Sequence, residues 1–412
     1  SYMCFVLPQT FIKSSKGGEG FRKFSITRNN QNTPFALDEV YDMETIQPFK
    51  GYATNRTSVY LFLKNKKMSY PMKNYYVCKN KDKNNKISYE DSYLDVKNKI
   101  ILEKQNAKPI VKDNLSSAWL TYKPEDEINE KFIGNSAYRG RKGIEPCGAK
   151  GVYLINILKK SEKNFFIENM IERSRLLSIK SKGVKKGWVE KEFIYPMVGG
   201  RDIDKWGINR NIFILVPHDN KAKSPYRGVA EEDLKSKYPK TYEWLFFWKK
   251  ELLETRIRSG KNFDKKSFPF YRLDNVGKYT FSKYKVLWRE QSKSMTSVVI
   301  SSLSNKYVNR KNIVVDSKVL FASFENLHEA HFLCAVLNSK IANKIITSYT
   351  IDIQKGIDIL QNIKIPKFDQ KNKTHLMLSN LSLDAHKYYI GKKEEKIKAV
   401  EEKINKLSLS IF

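Results

Sequence analysis

Ser58-Val59-Tyr60-Leu61-Phe62-Leu63 is the run that most limits what this chain can fold into. An unbroken series of β-branched, aromatic and aliphatic residues, closed by the polar residues 64–67, predicts a strand, with a hairpin turn leading into Ser69-Tyr70-Pro71. Cys4-Phe5-Val6-Leu7-Pro8 reads as a buried strand end, and residues 38–43 as a further strand. Between them lie Phe11-Ile12-Lys13, a turn with Gly17, Gly18 and Gly20, and a short helix at Phe21-Arg22-Lys23-Phe24. The start of the chain is thus a mixed sheet in which no strand–Gly-rich loop–helix unit comes first.

Further along, residues 79–90 are poor in apolar side chains and read as a solvated loop. Phe165, Phe166, Ile167, Met170, Ile171 and Leu176 fall at helical spacing, which predicts a helix over 162–179. Residues 212–216 form a strand ended by Pro217, residues 231–257 one or two helices, and Val286-Leu287-Trp288 and Ile313-Val314-Val315 two more strands. Residues 327–349 read as a long helical stretch. At the end Ile397, Val400, Ile404, Leu407 and Ile411 step by three and four, an a/d seam that packs on its own domain or pairs with another helix.

Composition narrows the class of function. The 412 residues carry 76 Lys+Arg against 44 Asp+Glu, a net charge of +32 spread along the whole length. An AT-rich coding sequence accounts for part of that excess; a polyanionic partner accounts for the rest, because Lys and Arg that neutralise phosphates release counterions. With 41% hydrophobic residues the chain has the means to build a core, so wholesale disorder is excluded. No apolar run approaches the ~20 residues of a membrane span, no secretory leader is read, and the expected location is the cytoplasm. Cys4, Cys78, Cys147 and Cys334 lie too far apart for a Cys-x-x-Cys module. His328-Glu329-Ala330-His331 spaces its histidines three apart rather than the four of a zinc-protease helix, so no metal is expected. No nucleophilic triad and no nuclease core can be assembled, and no residue is nominated as catalytic.

The order of short motifs resembles the later part of an adenine-N6 DNA methyltransferase of the restriction–modification, type IIG-like kind. Phe5-Val6-Leu7-Pro8-Gln9 is similar to the strand end after the catalytic motif. Gly20-Phe21-Arg22-Lys23-Phe24, Asp42-Met43, Pro48-Phe49, Thr54-Asn55-Arg56-Thr57-Ser58-Val59 and Tyr70-Pro71-Met72 follow in the family's order. So do Ser136-Ala137-Tyr138-Arg139-Gly140-Arg141-Lys142-Gly143-Ile144, Gly148-Ala149-Lys150-Gly151-Val152, and Tyr195-Pro196-Met197-Val198-Gly199-Gly200-Arg201-Asp202-Ile203 with Trp206. Tyr279-Thr280-Phe281, Lys285-Val286-Leu287-Trp288-Arg289-Glu290 and Ala335-Val336-Leu337-Asn338-Ser339-Lys340 complete the set.

The resemblance implies an α/β fold: a partial methyltransferase sheet over residues 1–110, an α/β target recognition domain over 111–368 and a C-terminal helical element over 369–412. It implies double-stranded DNA as partner and S-adenosylmethionine as cofactor of the complete enzyme, in restriction–modification or phage defence. The family also needs a polar-Pro-Pro-aromatic tetrapeptide to hold the adenine amino group. This chain has 13 prolines, none adjacent, and Asn32-Thr33-Pro34-Phe35 imitates the motif in the wrong place. The cofactor half is therefore expected elsewhere, on a missing N-terminal segment or a separate catalytic subunit, with this chain inactive alone. The alternative is a non-catalytic DNA-binding specificity subunit that partners a separate methyltransferase or nuclease chain.

Site expectations follow from the resemblance. Phe49 or Tyr52 packs on an extruded adenine, unless Phe49 is ordinary core. Tyr138, Arg139, Arg141 and Lys142 form a DNA-facing loop in which Gly140 and Gly143 let the backbone approach a ligand, one Arg reading a guanine and one holding a phosphate. Arg201 is a further DNA contact, although an Arg201–Asp202 pair is also readable as structural.

Overall fold

The computed structural model describes residues 1–411 apart from 15–16, 44, 47, 50–55, 83, 127–129, 211, 259–267, 293 and 351–354. Its first sheet has seven strands: β1 (Tyr2–Pro8), β2 (Ser25–Arg28), β3 (Gln31–Asp42), β4 (Thr57–Lys64), β5 (Met72–Asn80), β6 (Ile100–Pro109) and β7 (Trp119–Tyr122). Their order is β1-β4-β3-β5-β6-β7, with β2 paired to the start of β3. All pairings are antiparallel except β3 with β5. In β4 the side chains of Ser58, Tyr60 and Phe62 are buried and their neighbours only partly so, the period of two that a pleated strand imposes. The turn after Lys64 does not close a hairpin. The chain crosses to the far side of β3, because β1 already occupies the other edge of β4.

Phe11 and Ile12, on the short helix Thr10–Lys13, cover one face of this sheet together with Phe24, Phe35, Tyr75 and Trp119. Arg22 fastens that cover. Its buried guanidinium donates to the carbonyls of Ser116 and Phe11 at 2.7 Å and of Gly17 and Ser14 at 2.9 Å. Gly18 takes a left-handed φ of 83° to let the turn pass over Phe11. The segment 4–8 does form a strand but is not buried: Tyr2 is 63%, Phe5 48% and Val6 53% exposed on β1, the sheet's edge.

A six-stranded sheet follows, in the order Lys186–Glu190, Asn164–Asn169, Leu154–Lys160, Ile212–Leu215, Ile194–Val198 and Val314–Val315, antiparallel but for the last pair. The helix expected over 162–179 is absent from its first half. Asn164–Asn169 is a strand with Phe165, Ile167 and Asn169 buried, and Ser161 and Asn164 make the turn that starts it. A dense aromatic cluster satisfies period two as well as period 3.6, and pairing on both sides decides the outcome. Residues 231–257 become three helices, Glu231–Lys237, Pro239–Phe247 and Lys249–Arg258, broken at Pro239 and Trp248.

A four-stranded antiparallel sheet, in the order Ser297–Ile300, Tyr284–Arg289, Val319–Phe324 and Arg141–Lys142, packs against four helices. The stretch 327–349 divides into Leu327–Leu337 and Lys340–Tyr349, because Ser339 caps the second helix by accepting from the Ala342 amide. Lys373–Ile390 and Glu394–Ser408 close the body. The a/d seam of the last helix is satisfied at home: Val400 and Ile404 are buried in the same core as Leu333, Leu337 and Ile345. The architecture is mixed α/β with a C-terminal helical element, as expected.

Candidate nucleic-acid interface

Where the six-stranded and four-stranded sheets meet, loops from both enclose a cleft of about 530 Å³. Seven cationic side chains line it: Lys150, Arg173, Arg175, Arg201, Arg210, Arg289 and Lys318, against three carboxylates, Asp202, Glu290 and Asp316, a balance of 7 − 3 = +4. The carboxylates are already engaged. Asp316 accepts from Lys150 at 2.5 and 2.6 Å, and Glu290 from Lys142 at 3.1 Å and Lys318 at 2.9 Å. Burial pushes the Glu290 carboxyl up, but the two ammonium groups outweigh it and hold the group below its ordinary value. Asp202 turns back to accept from the Gly199 amide at 3.1 Å. Arg289 donates to the Ile203 carbonyl and approaches Asp204 at 3.4 Å. Arg175, Arg201 and Arg210 are exposed and have no acidic partner among the described residues.

Local chain geometry places these arginines. The strand Ile194–Val198 ends in Gly199-Gly200, and at Gly200 a Cβ would lie 3.2 Å from the Lys318 carbonyl. A small hairpin then pairs Ile203–Asp204 with Gly207–Ile208, and its base is closed by the Asn209 amide donating to the Asp202 carbonyl at 2.9 Å. Arg201 and Arg210 flank that closing pair on either strand. Arg173 and Arg175 stand on either side of buried Ser174, which presses against Gly151, where a Cβ would sit 2.8 Å from the serine's.

The cleft continues toward the first sheet. Glu290, Gln291 and Lys318 also border a recess of about 310 Å³ with Thr10, Lys13, Tyr349 and Asp358. Lys13 borders a third, of about 280 Å³, with Asp42, Gln105, Lys123 and Lys344. Shared lining residues set the three side by side as one groove that runs from the junction of the six- and four-stranded sheets to the first sheet. At its far end Asp42 is buried, accepting from Gln9 Nε2 at 2.6 Å and from the Tyr75 hydroxyl, with Lys13 at 3.8 Å.

Of the residues nominated from the sequence, Arg201 lines the cleft and Lys142 reaches its wall through Glu290. Tyr138 corrects the expectation of a DNA-facing side chain. It is buried against Phe324, its hydroxyl accepts from the Phe368 amide at 2.8 Å, and burial pushes its pKa up. Arg139 is exposed but does not line the groove, and the Arg141 guanidinium lies 4.9 Å over the Tyr279 ring. Gly140 and Gly143 serve close packing within the chain rather than a ligand. A Cβ at Gly140 would lie 2.7 Å from the Ile357 carbonyl, and one at Gly143 would collide with that of Asp316. Arg201 and Asp202 do not pair. Phe49 is 42% exposed between β3 and β4, outside the core, and Tyr52 lies outside the described residues. Asn32-Thr33-Pro34-Phe35 belongs to the β2–β3 ladder. His331 faces the Ser382 hydroxyl at 2.9 Å, and no group of three metal-binding side chains occurs among the described residues. Sequence reasoning missed Arg173, Arg175 and Arg210; nothing in the spacing of the first two marks them, whereas Arg210 was findable only as the mirror of Arg201 across the hairpin.

No described helix is long and apolar enough to cross a membrane. No protein-family model matches the sequence, and no curated protein is similar to it. Among solved structures, the chain is similar over its whole length to 46% of the type IIL restriction-modification enzyme MmeI, determined in complex with DNA, with a TM-score of 0.55 and 11% identity. It also aligns with 47% of the type IIG restriction endonuclease BpuSI at 12% identity, where a TM-score of 0.31 carries no argument. The chain spans less than half the length of either enzyme. At such identity the likeness speaks of architecture alone: the molecule has the α/β fold of one part of a restriction–modification enzyme.

Proposed function

We propose that this chain recognises double-stranded DNA and positions a target adenine for S-adenosylmethionine-dependent N6 methylation in a restriction–modification or phage-defence system. The observation that carries the reading is the groove, with its excess of cations and three arginines that no carboxylate neutralises. Arginine forks suit phosphate oxygens and the O6/N7 edge of guanine alike. In the proposed reaction the adenine amino group attacks the methyl of the cofactor, and this chain contributes position: the groove fixes the duplex, and Phe49 offers a flat face to a base swung out of the stack.

On this reading S-adenosylmethionine is not held by the residues of this chain. In the Gly-rich turn Gly17–Gly20 the Gly17 carbonyl accepts from Arg22 and the Gly17 amide donates to the Ser14 hydroxyl, so neither is turned to a ligand. The reading therefore assigns the cofactor to a partner segment or subunit. Edge strand β1 supports such a partner, since no strand pairs with its outer edge among the described residues and most of its side chains are exposed, so an added strand could extend the sheet there. Reconstitution separates part of a methyltransferase from a specificity subunit: in the first case a partner bearing the Pro-Pro-aromatic half transfers no methyl group without this chain, whereas in the second a methyltransferase or nuclease partner is active alone and gains only site selection.

DNA binding is tested by titrating a labelled mixed-sequence duplex at several salt concentrations. Arg175→Ala, Arg201→Ala and Arg210→Ala should each weaken binding and, where a phosphate contact is lost, lower the slope of log K against log salt by about one unit. Arg141→Ala should leave that slope alone. Equal affinities and equal slopes for the three groove variants and the parent would remove DNA from the groove.

A further inference from the structure

The hairpin 203–208 is held from behind by the C-terminal helices. The Tyr389 hydroxyl, on helix Lys373–Ile390, donates to Asp204 Oδ2 at 2.8 Å or to Asn209 Oδ1 at 2.7 Å, and so meets the base of the hairpin on either side. The other oxygen of Asp204 faces Arg289. On helix Glu394–Ser408, Glu401 accepts from the Trp206 indole at 2.7 Å and pairs with Lys205 at 2.7 Å. The fit is flush, since a Cβ at Gly207 would run into the Tyr389 ring.

Trp206 shows that this grip does more than fill space. It sits at the hairpin turn with a left-handed φ of 74°, a conformation a bulky side chain adopts only under constraint. The indole is buried, edge-on to His386 at 5.7 Å, so packing and the Glu401 bond together supply the constraint. Released, the turn would relax, and with it the Asp202–Asn209 closure that Arg201 and Arg210 flank.

We infer that the C-terminal helices set the position of the two groove arginines, with Tyr389 and Glu401 as positioning residues for nucleic-acid binding. Neither side chain lines the cleft; each acts through the hairpin. The inference rests on the reading of the groove as a DNA site. It gives the helical element a task beyond closing its own core.

The experiment uses the full chain and a labelled mixed-sequence DNA duplex, titrated over a salt series, with urea unfolding of every variant alongside. Tyr389→Phe removes one hydroxyl and keeps the ring. It should weaken binding roughly three- to tenfold, the weight of a hydrogen bond or two, and flatten the salt slope. Added to Arg201→Ala plus Arg210→Ala, it should cost little more, because the arginines it positions are gone. Glu401→Ala, reaching the hairpin through Trp206, should behave alike, which guards against a folding defect peculiar to one site. If the arginine variants weaken binding but Tyr389→Phe and Glu401→Ala shift only the urea midpoint, or add fully to the arginine losses, the inference falls and the groove reading stands. If the arginine variants bind like the parent, the groove reading falls and takes the inference with it.

Discussion

Arg22 commits its guanidinium to main-chain carbonyls from three separate segments: the helix that carries Phe11, the glycine turn, and Ser116 in the β6–β7 connection. Burial lowers its pKa, and the carbonyl dipoles are what make a buried cation tolerable there. A lysine has the charge without the fork, so Arg22→Lys should leave carbonyls unsatisfied and cost about 2–4 kcal/mol in urea unfolding. A loss below a tenth of that would show the fork to be dispensable. Arg22 was visible in the sequence only as part of a motif, because its role depends on segments far apart in the chain. The groove arginines repeat the lesson. Arg201 stands out after a Gly-Gly pair, whereas Arg175 and Arg210 become neighbours of it only once strands and hairpin are folded.

Helices Leu327–Leu337 and Lys373–Ile390 meet along a seam of neutral imidazoles. His386 Nε2 accepts from the Val299 amide at 2.9 Å, so Nδ1 carries the proton and donates to the Ser382 carbonyl at 2.7 Å. His331 lies 4.7 Å from it, ring edge to ring face. Burial pushes His386 down to about 4 and His331 to about 2, from an ordinary 6.5. Both values lie below the unfolded one, so the unfolded chain binds more protons as the pH falls. The stabilisation is complete above 6.5 and is lost progressively as pH drops through 6.5, toward 4 for His386 and toward 2 for His331. The urea midpoint should fall across that window, and His331→Asn with His386→Gln should flatten the fall while lowering stability at neutral pH; an unaltered profile would place the acid sensitivity elsewhere. At this scale the sequence was uneven. β4 and the strand Tyr284–Arg289 were plain from composition, because β-branched and aromatic runs flanked by polar turns admit one reading. Residues 164–169 were not, since clustered aromatics fit two periods and the choice is made by partners on either side.

Across the whole molecule, the mixed α/β class and the closing helical element were legible, while the groove was not, since its wall is contributed by loops of three sheets and a hairpin. The chain alone should give no saturable heat with S-adenosylmethionine in calorimetric titration; micromolar, one-to-one binding would overturn the assignment of the cofactor to a partner. Strand β1 carries the last consequence, one of time rather than place. Its amides have a single ladder of partners in β4, and of its side chains only Leu7 is partly buried, so they open without waiting for the sheet to unfold. Deuterium should enter Tyr2–Pro8 long before it reaches β3 or β5, and the arrival of a strand along that edge should be readable as the slowing of those few amides.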